Sequence, residues 1–268
     1  MKDYIGHNII KTLPPSSERL PLFIVGDVHG CSRELRELIQ EAKKKVTNFQ
    51  LVLVGDLFTK GPDPVGVYEQ ILEHSAICIK GNHDWALKAL ISRSMKYENP
   101  QLSLHSKQTL NLIRYHKKGI FDLLLHLPHA ITTTIIPAFV RANWEKSYPL
   151  IVVHAGLDCT KGLAGSTERM LLTARYVRWD VKENEKKLVP VGNQSSHKNQ
   201  SDIFRWHELH EGPELIIFGH DAKQGLFRKA LPSGRPICVG VDTGCTYGKM
   251  LTGYFSERDL AVQVKAHR

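Results

Sequence analysis

The chain has 268 residues, of which 42% are hydrophobic and 24% charged, and this length suffices for a substantial core. No run of about 18 apolar residues occurs, and the start lacks a secretory signal, so we expect no transmembrane helix, no membrane partner and a cytoplasmic location. Five cysteines without a C-x-x-C pair argue against a disulfide framework or a zinc–cysteine cluster, and the net charge of +9 favours anionic partners.

The first part of the chain predicts a loose start followed by alternating strands and helices. Residues 1–19 are polar and contain a Pro-Pro-Ser-Ser segment, which predicts a loose lead-in to a single domain over 1–268. From residue 22 onward, short apolar runs alternate with helical spacing. This is the pattern of a β-α-β-α-β unit with a parallel sheet. Strands are predicted at residues 22–25, 51–54 and 76–79.

The middle and end of the chain predict a helical insertion, a loop and further strands. Residues 85–128 have helical apolar spacing, which indicates a helical insertion over one side of the site. Residues 182–202 are strongly polar and predict a mobile loop. Further strands are predicted at 130–136, 150–153, 215–218 and 237–241, with a terminal hairpin over 251–264.

Polar motifs follow the predicted strands directly. The first three are GDVHG at 26–30, GDL at 55–57 and GNHD at 81–84, and later runs end at HAG (154–156) and GH (219–220). Ligands of open α/β sheets bind outside the carboxyl ends of the strands, so we expect these side chains to converge. A single histidine at a strand end is usually structural, but five such motifs in order indicate a site for two divalent metal ions.

These motifs resemble a known family. The series GDVHG, GD-x-x-x-K-G, GNHD, HAG and GH is similar to the phosphoprotein phosphatase superfamily of dinuclear, calcineurin-like metallophosphoesterases, over roughly residues 20–256. Asp84, GPDP at 61–64 and VDTGCTYG at 241–248 resemble the symmetrical diadenosine tetraphosphate hydrolases, and Lys60 resembles the ApaH-like phosphatases among them. The resemblance implies an α/β fold with two mixed β-sheets packed as a sandwich and flanked by helices.

The resemblance also implies a set of metal ligands. Two divalent transition metal ions would be held about 3.5–4 Å apart by a shared carboxylate and would lower the pKa of a water that attacks phosphorus in line. Manganese is the expected metal, with iron, zinc and cobalt as alternatives. Asp56 would bridge the two ions. The implied ligands are Asp27, His29, Asp56, Asn82, His154 and His220.

Other residues are implied to act on the substrate. His83 would be the general acid that protonates the leaving group. Lys60 stands where most relatives carry a phosphate-binding arginine, and Asn82 would also contact the phosphate. A second phosphate-binding arginine is expected at Arg178 or Arg175, with Arg178 preferred.

Two features leave alternatives open. Protein phosphatases carry, at the position of Thr59, an aspartate that orients the acid histidine, so either another carboxylate such as Asp84 replaces it or protonation of His83 depends on the substrate. Exposed aromatic rings could stack on a nucleobase, although packing in the core or at the rim explains each ring more simply. The aromatic candidates are Trp85, Trp179, Trp206 and Tyr247.

The leading hypothesis is a metal-dependent phosphohydrolase acting on a dinucleoside polyphosphate, such as diadenosine tetraphosphate, or on a capped nucleotide. The second hypothesis is a protein serine/threonine phosphatase, whose partner is a phosphoprotein. The third is a nucleotide- or RNA-binding module without catalysis, which the positive charge would suit. The presence of all six ligand positions and of His83 argues against this third hypothesis.

Overall fold

The computed structural model describes residues 9–97, 101–138, 144–182, 185–191 and 202–267. The strands in chain order are β1 (Ile10–Thr12), β2 (Leu22–Val25), β3 (Gln50–Leu53), β4 (Ile77–Cys78), β5 (Ala130–Ile135), β6 (Tyr148–Val153), β7 (Tyr176–Lys182), β8 (Glu185–Val191), β9 (Ile203–Arg205), β10 (Leu215–Phe218), β11 (Phe227–Ala230), β12 (Pro236–Gly240), β13 (Met250–Phe255) and β14 (Leu260–Lys265). The helices are α1 (Ser32–Lys43), α2 (Pro64–Glu73), α3 (Asn82–Lys96), α4 (Leu104–Leu112), α5 (Lys117–Leu125) and α6 (Glu168–Thr173). Among the described helices, none is long and apolar enough to cross a membrane.

Two large sheets and one small sheet form the framework. The first sheet has the order β1-β5-β6-β10-β12-β11, the second β14-β13-β2-β3-β4, and the third β8-β7-β9. Strands β2, β3 and β4 are parallel, as predicted, whereas β13 pairs antiparallel with β2 and forms the predicted hairpin with β14. Parallel and antiparallel pairs also occur together in the first sheet, so both large sheets are mixed.

The two large sheets pack face to face around an apolar core. Leu22 and Ile24 of β2 lie in one buried cluster with Leu150 and Val152 of β6 from the other sheet. Phe23, the residue between them, belongs to a different cluster on the outer face, together with side chains of α1. This alternation is the two-residue period of a strand that is buried on both faces. The predicted sandwich of two mixed sheets flanked by helices is confirmed.

Two segments differ from the sequence-based expectation. Within 182–202, predicted as a polar loop, residues 185–191 form β8 and pair with β7, while 192–201 lie outside the described residues. Within the lead-in 1–19, residues 10–12 form β1 and pair in parallel with β5, while 1–8 lie outside the described residues. Both strands lie at sheet edges, and β1 is exposed throughout, so apolar alternation is not required of them.

The region predicted as a helical insertion contains α3, α4 and α5. Side chains of α3 and α5 join the outer apolar cluster, which includes Leu87 and Ile91 from α3 and Ile120 and Leu124 from α5. The third polar motif, at 81–84, lies at the start of α3, which begins at Asn82. The packing of α3 against the outer cluster therefore also fixes the position of this motif.

Candidate metal centre

The polar motifs meet at the carboxyl ends of strands from both large sheets. Asp27 and His29 follow β2, Asp56 follows β3, and Asn82 begins α3 after β4. His154 follows β6 and His220 follows β10 in the other sheet. Three of these residues have left-handed backbone conformations, with φ of 47° at His29, 54° at Asp56 and 67° at His220. Such φ values are uncommon outside glycine and cluster at functional sites.

Gly219, the residue before His220, leaves room for the carboxylate of Asp27. A Cβ at Gly219 would lie 2.2 Å from Asp27 Oδ1, a distance that no real contact allows. The same Asp27 Oδ1 accepts a hydrogen bond of 3.1 Å from the backbone N–H of His220. The GH motif therefore positions a carboxylate from the opposite sheet as well as its own imidazole.

Asp56 is shared by two groups of side chains suited to metal ions. One group is His29, Asp56 and His83, and the other is Asp56, His154 and His220, with the donor atoms of each group within 4.8 Å of one another. Asp56 Oδ2 lies 3.5 Å from His29 Nε2, and Asp56 Oδ1 lies 3.6 Å from His154 Nε2. Asn82 Oδ1 lies 3.0 Å from the same Nε2 of His154, at the second group. A carboxylate with one oxygen toward each group is what a bridging ligand requires.

The hydrogen bonds of His154 and His29 place a lone pair on Nε2 of each ring. His154 Nδ1 lies 2.9 Å from the carbonyl oxygen of Val54, so Nδ1–H donates and Nε2 keeps its lone pair. His29 Nε2 accepts from the Lys60 ammonium at 3.0 Å, which leaves Nδ1 to Thr59 Oγ1 at 3.2 Å. His220 Nε2 is buried and has no hydrogen-bond partner among the described residues. A buried nitrogen without a partner is accounted for by a bound cation.

The electrostatics of the site also fit a cation. Burial raises the pKa of Asp56 to about 7 and raises that of Asp27 well above its usual range. Burial lowers the pKa of His154 to about 4, and burial followed by the charge of Lys60 lowers the pKa of His29 to about 2. A divalent ion would stabilise both the ionised form of these buried carboxyl groups and the neutral imidazoles. The residues present therefore fit a metal centre.

Asp84 binds backbone groups of the neighbouring loops, and its suggested role as the partner of His83 stays a prediction. Its carboxylate accepts three backbone hydrogen bonds, from Asp56 N at 2.7 Å, Leu57 N at 2.9 Å and Gly81 N at 3.0 Å. The backbone N–H of His83 donates to Asp56 Oδ1 at 2.8 Å, and the His83 ring stands edge-on to His29, with ring centroids 5.0 Å apart. Asp84 thus organises the loop, and His83 lies at the first group of ligands.

The two candidate arginines differ in position. Arg175 donates to the carbonyl oxygen of His220 through Nε at 3.1 Å and Nη2 at 2.6 Å. It lines a cavity of about 240 Å³ together with Asn82, His220 and Arg169. Arg178 is exposed on β7 and does not line this cavity. The preference for Arg178 is therefore corrected in favour of Arg175, because the turn before β7 directs Arg175 toward the His220 loop.

The four aromatic candidates for base stacking differ in their exposure to solvent. Trp206 is 1% exposed and packs on Phe218 in the core, so it is unavailable to a ligand. Trp179 is half-buried against the same cluster. Trp85 and Tyr247 are 50% and 62% exposed, and Tyr247 OH lies 3.2 Å from Lys60 Nζ. Tyr247 is therefore the candidate in direct contact with a site residue.

Two residues of the site were not anticipated from the sequence. Arg169 shares the cavity with Arg175. The buried carboxyl group of Asp242 is hydrogen-bonded to that of Asp27, and its Oδ1 accepts from Gly244 N at 3.0 Å. The signal for Asp242 was present, because it follows a buried apolar run, residues 237–241, as the predicted ligands do. Arg169, on a short helix without a motif, gave no comparable signal.

A sandwich of mixed sheets with a carboxylate shared between two ligand groups is the arrangement of a metal-dependent phosphoesterase. Comparison with known proteins agrees. The chain belongs to the calcineurin-like phosphoesterase family, whose sequence profile matches residues 20–224. The family implies a dinuclear centre of divalent metal ions, which the His and Asp groups fit.

Relatives that match over most of the chain are named as nucleotide polyphosphatases. A symmetrical bis(5'-nucleosyl)-tetraphosphatase of Photorhabdus laumondii is 28% identical, covering 91% of this chain and 99% of the relative. An asymmetrical bis(5'-nucleosyl)-tetraphosphatase, PrpE, of Oceanobacillus iheyensis is 25% identical over 88% of this chain and 89% of the relative. A crystal structure assigned as a candidate diadenosine tetraphosphatase superposes with a TM-score of 0.69 at 28% identity, covering 97% of this chain and 99% of that one.

Proposed function

We propose that this protein hydrolyses dinucleoside polyphosphates, with diadenosine tetraphosphate as the expected substrate and capped nucleotides as the next candidates. The observation that carries the proposal is the position of Asp56 between the two ligand groups, with Lys60 at one group and Arg175 at the other. Two cations flanking a dinuclear site suit a substrate with several phosphate charges. The names of the relatives support the same substrate class.

The proposed metal ligands are those predicted from the motifs: Asp27, His29, Asp56, Asn82, His154 and His220. Two divalent ions, with manganese as the expected metal, would supply Lewis-acid polarisation of the phosphoryl oxygens and a lowered pKa for a reacting water. The protein's own part is to hold these ligands rigidly. Asp84 does so for the Asp56 loop, and the Val54 carbonyl does so for the His154 ring.

The protein's cations and one histidine would act on the substrate itself. Lys60 and Arg175 would offset negative charge on the phosphoryl oxygens, and the Asn82 amide would contact the same group. His83 would donate a proton to the leaving-group oxygen, because it lies at the first ligand group and is only partly buried. Both oxygens of Asp84 accept hydrogen bonds from backbone N–H groups, while the Asp56 carboxylate lies within 4.8 Å of a ring nitrogen of His83.

The alternative of a protein serine/threonine phosphatase has less support. Thr59 carries no charge and bonds to His29, whereas a phosphatase of that class would place an aspartate there. Lys60 offers a point charge in place of the planar fork of an arginine. Both differences weaken recognition of a single phosphoryl group, while a chain of phosphates can satisfy a point charge from several directions.

A substrate panel tests the proposal. Diadenosine tetraphosphate, a cap analogue, a phosphopeptide and an aryl phosphate would be assayed with Mn²⁺ at matched concentrations. We expect the highest kcat/KM for diadenosine tetraphosphate and a loss of at least about a hundredfold in the Asp56→Asn and His83→Asn variants. His126→Asn, an exposed histidine at the end of α5, is the matched control and should retain full activity. A preference for the phosphopeptide, or no turnover of any ester, would contradict the proposal.

A further inference from the structure

Tyr247 is held open to solvent at the first ligand group. It ends a short 3-10 turn, Cys245–Tyr247, between Gly244 and Gly248, whose φ values of 75° and 76° are left-handed. Its hydroxyl accepts a hydrogen bond of 3.2 Å from Lys60, whose Nζ lies 5.5 Å from the ring centroid. Because the same Nζ is 3.0 Å from His29 Nε2, the ring is coupled to the site through a single cation.

Tyr176 occupies a comparable place at the second ligand group. It is the first residue of β7 and lines the cavity of about 240 Å³ beside Asn82 and His220. The guanidinium of Arg205 lies 5.3 Å from its ring centroid. Arg205 is itself held by Asp221, which directly follows His220, at 2.7 Å. This ring too is supported by a cation that is tied to the site.

Packing of the core does not explain either ring. Neither Tyr247 nor Tyr176 belongs to the three buried apolar clusters of the described residues. Tyr247 is exposed, Tyr176 is half-buried at the cavity, and each ring lies beside a cation. Such a ring is suited to stacking on another ring, because little conformational entropy is lost when the ligand binds. Nucleobases of any identity can stack on such a ring, because every base has a π-face.

We infer that Tyr247 and Tyr176 support the two nucleosides of a two-ended substrate, one at each ligand group. Lys60 contacts Tyr247, and Arg175 and Arg169 line the cavity of Tyr176, so these cations would bind the connecting phosphates. This inference rests on the proposed function and deepens it: the substrate class is one with a nucleoside at both ends, and a nucleotide with a single base would use only one platform.

The test compares substrates with two, one and no nucleosides. Tyr247→Ala, Tyr176→Ala and the double variant would be assayed with Mn²⁺ on diadenosine tetraphosphate, adenosine 5'-tetraphosphate and an aryl phosphate. Each single alanine variant should raise KM for diadenosine tetraphosphate about tenfold, and the double variant about a hundredfold, because separate stacking contacts add in free energy. For the one-ended nucleotide, the double variant should lose only about tenfold.

Two controls separate stacking from other effects. Tyr247→Phe and Tyr176→Phe retain the ring and should stay within about threefold of the unmodified protein, the cost of a hydroxyl contact. Tyr115→Ala removes a tyrosine that is 83% exposed and has Arg114 4.5 Å from its ring centroid, but lies between α4 and α5, and should have no effect.

Each outcome bears on a specific claim. If the unmodified protein cleaves diadenosine tetraphosphate while both alanine variants keep KM within twofold, the inference fails and the proposed function stands. If only one tyrosine matters, or if the losses do not multiply, the two-ended assignment fails. If the unmodified protein cleaves a phosphopeptide but no dinucleotide, the proposed function fails, and the inference fails with it.

Discussion

The carboxylate of Asp84 accepts a hydrogen bond of 2.7 Å from the backbone N–H of Asp56, the residue shared by the two ligand groups. Its remaining contacts, with Leu57 N at 2.9 Å and Gly81 N at 3.0 Å, link the loops after β3 and β4. Asp84 lies in the first turn of α3, so the helix, the Asp56 loop and the Asn82 loop are joined at one carboxyl group. These contacts fix the backbone beside the proposed ligands Asp56 and Asn82.

Removal of this carboxyl group should therefore destabilise the fold. Asp84→Ala leaves three backbone N–H groups without their acceptor, and each such loss costs about 1–3 kcal/mol, so we expect the free energy of unfolding to fall by about 3 kcal/mol or more. Asp84→Asn keeps one oxygen and should show a smaller loss. Urea unfolding in the presence of a chelator measures the effect without metal. Asp122→Ala, on the exposed face of α5, is the control, and equal stability of the two alanine variants would contradict the prediction.

The stability of the metal-free protein should fall as the pH rises from about 7.5 to 8.5. Burial raises the pKa of Asp56 to about 7 and raises those of Asp27 and Asp242, so the folded state keeps protons that the unfolded state has released. Stability falls with pH wherever the folded state binds more protons. Several histidines with lowered pKa values, among them His29 and His154, act in the opposite direction while the unfolded chain still protonates them. That contribution is nearly gone by about pH 7.5, so the carboxyl groups dominate above it.

Saturating metal should abolish this trend, because divalent ions bind the deprotonated carboxylates, and the metal-bound fold then holds no more protons on these groups than the unfolded chain does. Urea unfolding at about pH 7.5 and about pH 8.5, with chelator and with saturating Mn²⁺, measures both slopes. The Asp56→Asn variant has one titrating carboxyl group fewer, so its slope with chelator should be shallower. Stability of the chelated protein that increases with pH across this window would rule the explanation out.

The convergence of the polar motifs could be predicted because each motif follows a buried apolar run, whereas the proposed assignment of individual metal ligands rests on the family resemblance. The role of Asp84 could not be predicted, since its partners are backbone groups brought close only by the pairing of β3 with β4. The choice between Arg175 and Arg178 depends on how β7 lies against the His220 loop, a tertiary contact with no local signal. The exposed edge strand β1 has no apolar alternation to reveal it.

The close approach of Gly219 to Asp27 allows a test of the proposed metal centre in which every proposed ligand keeps its side chain. In Gly219→Ala the new Cβ would approach Asp27 Oδ1 to 2.2 Å and Val54 Cγ2 to 2.7 Å, so the carboxylate must move. We expect the affinity for Mn²⁺ to fall by at least about tenfold, the usual effect of disturbing a ligand's support. Calorimetric titration of the chelator-treated protein measures it.

Backbone strain alone should not have this effect. Gly225 has a φ of 69° and no atom within 4 Å of an added Cβ, so Gly225→Ala introduces strain without a clash. It should cost about 1–2 kcal/mol of stability and leave the affinity for Mn²⁺ unchanged. If both glycine variants bind Mn²⁺ equally, the close approach of Gly219 to Asp27 is unimportant for the site.

A substitution at Asp242 tests whether a negative charge beyond the proposed ligands contributes to the affinity for metal. Its carboxyl group is hydrogen-bonded to that of Asp27, which requires a proton between them in the absence of metal. Asp242→Asn keeps an oxygen for Gly244 N but removes the negative charge, so the fold should persist while the affinity for Mn²⁺ falls about tenfold. Its binding should also depend less steeply on pH, since one releasable proton is gone. Asp122→Asn is the matched control, and wild-type affinity with an unchanged pH slope in Asp242→Asn would show that Asp27 alone carries this part of the site.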